Sequence, residues 1–283
     1  MSRALWVYAP PGSGKSTLCR RVVQLVEKEP SVAVASHFFR FDQNYTTLDV
    51  LKSLAAQLWE LWASRRHSYS PVEKLARFAA DKTSDAASQV LSILHELIQA
   101  LPTVYFFIDG VDEEVKKGEG SGLDKYHQKN ASALGVMDAL HRFVESSAEE
   151  HGATHLWISS QDVAYTREKF KIYTHLDIKD AVKSGISCYL TSAISDLTVV
   201  PPEQRTSILQ QLLARAESNF LWAHLMVVKL RKATNLAEMD KALEEGRADD
   251  LDAYYETFFD KLLSGDRASI SRYSYISPSV AWH

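Results

Sequence analysis

The sequence predicts an α/β fold: a mostly parallel sheet of about five strands interleaved with helices, then a smaller helical subdomain. Three observations predict it. Short apolar runs alternate with longer segments of helical periodicity up to about residue 178. The run "TVYFFIDG" is apolar on successive residues, as a central parallel strand covered on both faces must be. After about residue 179 strand-like runs stop and only helical periodicity continues.

The elements follow in order. "ALWVYA" (4–9) is a short apolar run ending in turn residues, a buried strand. Residues 15–28 read as a helix with Leu18, Val22, Leu25 and Val26 on its apolar side. "SVAVASHFF" (31–39), rich in β-branched and aromatic residues, is the second strand. "TTLDVLKSLAAQLWELWA" (46–63) is a helix capped by Thr47, with Leu48, Leu51, Leu54, Ala55 and Leu58 at helical spacing. "DAASQVLSILHELIQALP" (85–102) is a further helix that Pro102 stops. "TVYFFIDG" (103–110) is the third strand, and the polar, Gly-containing segment 113–130 is a mobile loop. Residues 131–148 are helical, "THLWISS" (154–160) is the fourth strand and "KIYTHLDI" (171–178) the fifth. The core therefore spans 1–178 and a helical subdomain 179–264, with an irregular tail at 265–283. In the subdomain's last helix Leu251, Tyr254, Tyr255, Phe258, Phe259, Leu262 and Leu263 form one apolar stripe.

Composition bounds the function. The 283 residues are 46% hydrophobic and 24% charged, an ordinary globular balance. A formal charge of −4 argues against nucleic-acid binding driven by bulk charge. The two cysteines, Cys19 and Cys188, stand outside any metal-ligand spacing and read as buried thiols in a reducing compartment. His37, His67 and His155 are scattered and suggest no triad. The most apolar helical stretch, "NFLWAHLMVV", falls short of the about twenty residues a membrane span needs. With no signal peptide legible at the start, the expected location is cytoplasmic.

The chemistry is carried by "APPGSGKST", residues 9–17, between the first strand and the first helix. A phosphate-binding loop reads G-x-x-x-x-G-K-[ST] in that context. Ala9 takes the first position, a small residue in place of glycine, followed by Pro10, Pro11, Gly12, Ser13, Gly14, Lys15 and Ser16. Gly12 and Gly14 let the backbone turn its N–H groups towards an anion. Lys15 brings a point charge to the β- and γ-phosphates, Ser16 a hydroxyl to Mg²⁺, and Thr17 a hydroxyl near the α-phosphate. The helix N-terminus adds partial positive charge. A second acidic element comes from "VYFFIDGVDEE". The apolar run places Asp109 at the strand's carboxyl end, where it can hold Mg²⁺ through a water. Gly110 lets the chain turn, and Asp112 or Glu113 returns to orient or deprotonate an attacking water. The fold class is thus that of a P-loop NTPase.

"APPGSGKST" followed by "FFIDGVDEE" resembles the NACHT family of STAND-class signalling NTPases. That family's acidic motif has a small residue after the Mg²⁺ aspartate and two acids one position further, as Gly110 and Asp112–Glu113 do here. "SHFFRFDQNYTTLDVLKSLAAQL", "ESNFLWAHLMVVKL" and "LDAYYETFFDKLL" resemble segments of fungal members. The resemblance implies an ATP- or GTP-dependent switch that controls self-association and partner recruitment. It also implies effector and repeat domains of a longer architecture that this chain does not include. Family members carry an arginine after the "SS" of the fourth strand to sense the γ-phosphate. Gln161 stands there, a neutral amide, so slow turnover is expected. No [NT]KxD base-reading motif is present, which favours ATP over GTP. The alternatives are a scaffold that holds nucleotide without cleaving it, and a small-molecule kinase. The kinase ordinarily brings an arginine-rich lid, which neither Arg20–Arg21 nor Arg65–Arg66 makes.

Overall fold

The computed structural model describes residues 3–40, 43–64, 85–112, 131–146 and 153–245. The loop expected at 113–130 with Glu113 in it, the Arg65–Arg66 pair, the apolar-striped helix at 251–263 and the tail from 265 lie outside these residues. The chain divides into two compact units, residues 1–180 and 181–283.

The first unit is built on β1 (Ala4–Tyr8), β2 (Ala33–Phe38), β3 (Thr103–Asp109), β4 (Ala153–Ser160) and β5 (Thr174–Asp177). They form one parallel sheet in the order β2-β3-β4-β1-β5. The chain leaves β1 towards the far edge at β2, returns through β3 and β4, then passes β1 to reach β5. Connections therefore diverge at the carboxyl end of β1, where open α/β sheets leave a crevice.

The helices are α1 (Lys15–Val26), α2 (Thr47–Ser64), α3 (Ala86–Ala100), α4 (Ala131–Ser146) and α5 (Ala164–Phe170). One sheet face, with Trp6, Phe106, Ile108, Leu156 and Ile158, shares a core with Leu54 and Leu58 of α2, Leu94 and Leu97 of α3, and Met137 of α4. The other face, with Val34 and Phe107, packs on α1 through Cys19 and Val23.

Two local expectations are corrected, and one helix is added. On α1, Cys19 and Val23 are the buried residues, Val22 and Val26 flank them, and Leu25 is 47% exposed. The helix is joined to the preceding loop at Gly14, which sets its rotation before apolar content can. The cap of α2 is Thr46, not Thr47. Its hydroxyl accepts from Asp49 N–H at 3.1 Å, and the Asp49 carboxylate accepts from Thr46 N–H at 3.1 Å. That reciprocal pair is a capping box. Helix α5, seven residues long with Thr166 and Phe170 buried, has no periodicity to announce it.

The edge strand β2 is partly closed by a side chain. The Gln57 amide of α2 accepts from Ser36 N–H at 2.9 Å and donates to Ser36 C=O at 3.0 Å. It occupies the groups another strand would use.

In the second unit the described helices are α6 (Lys179–Ser195), which begins just before the division, α7 (Pro202–Ala216), α8 (Phe220–Leu230) and α9 (Leu236–Glu245). Leu190, Ile194, Leu212, Trp222, Met226 and Leu243 meet in one apolar core. Asn219 caps α8 by accepting from Trp222 N–H at 2.9 Å. The Arg215 guanidinium donates to the Leu243 carbonyl and ties α7 to α9. Cys188 is exposed, against the expectation of two buried thiols, because it lies on the outer side of α6; Cys19 is buried.

Candidate functional site

The loop of residues 9–14 joins β1 to α1 at the carboxyl end of the sheet. Ala9 is buried, Pro10 and Pro11 are exposed, and Ser13 is buried. Gly12 has φ 73° and Gly14 φ 87°, left-handed values that a side chain would strain. A Cβ on Gly14 would meet nothing within 4 Å, so the requirement there is conformational and not spatial. Gly14 is the N-cap of α1, and no side chain caps the helix. The helix N-terminus is thereby left to face an anion. Ser16 and Thr17 are exposed on its first turn.

Lys15 bends back over the loop. Its Nζ donates to the Ala9 carbonyl at 2.8 Å and the Pro10 carbonyl at 3.0 Å. The ammonium also acts electrostatically on Asp109.

Asp109 ends β3 and is 3% exposed. Its carboxylate accepts from the hydroxyls of Ser159 and Ser16. Burial pushes its proton affinity up; the two hydroxyls and Lys15 oppose that rise, and Asp112 adds to it. Ser159 is a site residue that sequence reasoning missed. Its only local signal is a hydroxyl that follows the apolar run Leu156–Ile158 at the end of β4. β4 lies between β1 and β3, so its carboxyl end is flanked by the loop on one side and Asp109 on the other.

After Asp109 the chain turns at Gly110, φ 73°, whose N–H donates to the Ser159 carbonyl at 2.9 Å. Val111 and Asp112 are helical. Asp112 is 3% exposed, and its Oδ1 accepts from Gln161 N–H at 3.0 Å. The Gln161 carbonyl accepts from Ser160 Oγ at 2.9 Å and Thr166 Oγ1 at 2.7 Å. The Trp6 indole N–H donates to Ser160 Oγ at 2.8 Å. The structure thus gathers Lys15, Ser16, Asp109, Asp112 and Gln161 at one end of the sheet.

The residues suit a hydrated divalent cation. Among the described residues no group of three or more His, Cys, Asp or Glu makes a closed metal cage. Mg²⁺ needs none, being commonly held by one carboxylate, a hydroxyl, phosphate oxygens and water. Asp109 and Ser16 are such a pair, and a buried carboxylate with raised proton affinity gains from any cation. Ser13 Oγ and Asp112 Oδ2 are buried without a hydrogen-bond partner, polar capacity left unspent at the same end.

Two neighbours have structural roles. Burial and the Asp109 charge push the Cys19 thiol well above its ordinary value, so it packs as a small apolar group. Arg20 lies over the Phe38 ring, 5.0 Å from its centroid.

Comparison with known proteins follows the same lines. The sequence pattern of the family described as Nephrocystin 3, N-terminal, matches residues 1–161. No curated protein matches the chain. Among solved structures, the ORC1 protein of Aeropyrum pernix, in complex with DNA, is 14% identical with a TM-score of 0.48. It overlaps 86% of this chain and 59% of its own. Drosophila ORC bound to DNA is 13% identical with a TM-score of 0.31, overlapping 99% of this chain and 64% of its own. This chain thus spans less than two thirds of either, and both likenesses are too loose to bear on function. The family match covers the loop, both acids and the turn after β4, and on it the chain belongs to the Nephrocystin 3, N-terminal family, a NACHT-related P-loop NTPase.

Proposed function

We propose that the chain binds a nucleoside triphosphate, ATP in preference to GTP, hydrolyses it slowly, and uses its nucleotide state as a signalling switch that governs self-association. The observation that carries this reading is the meeting of the Asp109 carboxylate, the Ser16 hydroxyl and the Lys15 ammonium beside a loop held open by two left-handed glycines.

The roles follow from the chemistry. Residues 9–14 and the start of α1 cradle phosphate oxygens with backbone N–H groups. Lys15 neutralises charge on the β- and γ-phosphates, and Thr17 adds a hydroxyl near the α-phosphate. Ser16 and Asp109 would hold Mg²⁺, which when bound offsets the triphosphate's negative charge. Glu113 takes a proton from the attacking water. Gln161 supplies no positive charge where the transition state gains negative charge, so turnover is slow.

We place this activity in the cytoplasm. Among the described residues no helix is long and apolar enough to cross a membrane. The net charge of −4 favours protein over nucleic-acid partners.

The test is phosphate release from Mg²⁺–ATP by the wild type and by Glu113→Gln. Loss of a general base predicts a fall of about 100-fold. Equal background release from both supports a second reading, which Gln161 favours: a scaffold that holds nucleotide without cleaving it. Light scattering with ATP, with ADP and without nucleotide tests the switch, and one unchanged mass in all three contradicts it.

A further inference from the structure

We propose that Asp112 is a positioning residue that clamps the turn after β4 to the acidic end of β3. The backbone at Gln161 and the β3 acids then respond to a terminal phosphate as one body. The inference rests on the nucleotide reading above. It gives a different task to an acid that the sequence offered for activating water.

The geometry is specific. The Gln161 peptide is held on both sides, its N–H by Asp112 Oδ1 at 3.0 Å and its C=O by the hydroxyls of Ser160 and Thr166 at 2.9 and 2.7 Å. Trp6 in turn holds the Ser160 hydroxyl at 2.8 Å. Two further bonds join the same strand ends, Gly110 N–H to the Ser159 carbonyl and the Ser159 hydroxyl to Asp109. Asp112–Gln161 is the furthest along the chain from the sheet's own ladder. It is also charge-assisted and buried, hence stronger than a neutral bond.

A carboxylate with one oxygen committed to a fixed amide is a poor carrier for a mobile water's proton. It suits the transmission of position. β4 lies between β1 and β3, so the turn it leads into stands beside the phosphate loop. A third phosphate would bias that turn and a second would not. Asp112 then passes the bias to Asp109 and the chain beyond it, even though the side chain at 161 is uncharged.

The experiment measures the affinities of fluorescent ATP and ADP analogues for the full chain, read as the ATP-to-ADP ratio. The variants are Asp112→Ala, Asp112→Asn, Gln161→Pro and the Asp112→Ala/Gln161→Pro double. Asp112→Ala removes the acceptor and Gln161→Pro the donor; each is expected to lower the ratio about tenfold. The Asn oxygen still accepts from an N–H, so Asp112→Asn recovers at least half of the Ala loss on a logarithmic scale. The double variant does no worse than either single. Circular dichroism checks each fold, and if Asp112→Ala does not fold, Gln161→Pro and Asp112→Asn decide. A Gln161→Pro ratio equal to wild type overturns the clamp. So does an Asp112→Asn variant no better than Ala, or additive losses in the double. Wild-type protein that binds neither analogue overturns the nucleotide reading itself; wild type that binds both equally overturns only the coupling.

Discussion

The two units bury their interiors differently. In the first, Ser13, Asp109, Asp112, Ser159, Ser160 and Thr166 are all buried around the carboxyl ends of β1, β3 and β4. In the second, among the described residues, Ser218 is the buried polar side chain, and the rest of the core is aliphatic, Met and Trp. Burying polar groups costs free energy unless each is paired. At one rim of its sheet the first unit leaves Ser13 Oγ and Asp112 Oδ2 unpaired. A ligand at that rim would recover what folding leaves unspent, while the second unit's core is arranged for packing.

The largest expected effect breaks the second unit while leaving the first's chemistry alone. Leu190 is fully buried on α6, and Leu190→Ala is expected to destabilise by about 2–5 kcal/mol in urea melts. ATP affinity of the remaining folded chain should stay at the wild-type value. A matching loss of affinity would mean that the site depends on the helical core.

A smaller effect separates the packed side of the first unit from its polar rim. His37 on β2 sits edge-on to Phe39 and Tyr45, and burial pushes its imidazole down to about 4. The unfolded chain takes up this proton near the ordinary value, about 6.5, and the folded chain resists until much lower pH. The unfolded state therefore binds more protons in that window, and stability falls as pH drops from about 6.5 towards 4. The loss should be about 1–2 kcal/mol after allowance for partial exposure. His37→Phe keeps an aromatic ring and should flatten this part of the stability–pH curve. An unchanged slope would place the acid sensitivity elsewhere.

The smallest effect is informative by its sign. Asp109 holds protons more tightly when folded, first because it is buried. Its contribution to stability is present below the unfolded value and lost as pH rises through the folded one. Without Mg²⁺ at pH 7, Asp109→Asn should therefore melt slightly higher than wild type, with the gap closing in acid. With Mg²⁺–ATP the order should reverse. A variant that melts lower under both conditions would make Asp109 a structural group.

Much of this division was legible in the sequence. The strands are apolar runs closed by turn residues. The phosphate loop is contiguous, so residue type and spacing suffice to find it. What escaped was long-range or short. Ser159 meets Asp109 across 50 residues, and Gln161 meets Asp112 across 49, with no local pattern to announce either. Helix α5 is two turns long and shows no period. Thr47 reads as the cap of α2 from its place before the apolar run, and only Asp49, three residues after Thr46, marks Thr46 instead. The buried face of α1 depends on the loop that aims it, and composition does not report that.

On the proposed reading, triphosphate charge is met by the amide-lined loop with its lysine, assisted by a cation at Asp109. Isothermal titration of wild type and Lys15→Ala with ATP in Mg²⁺ tests it most directly. The wild type should bind saturably, and a Lys15→Ala variant that melts normally should bind more weakly by about 10- to 100-fold. Equal affinity in a folded Lys15→Ala sample would contradict it.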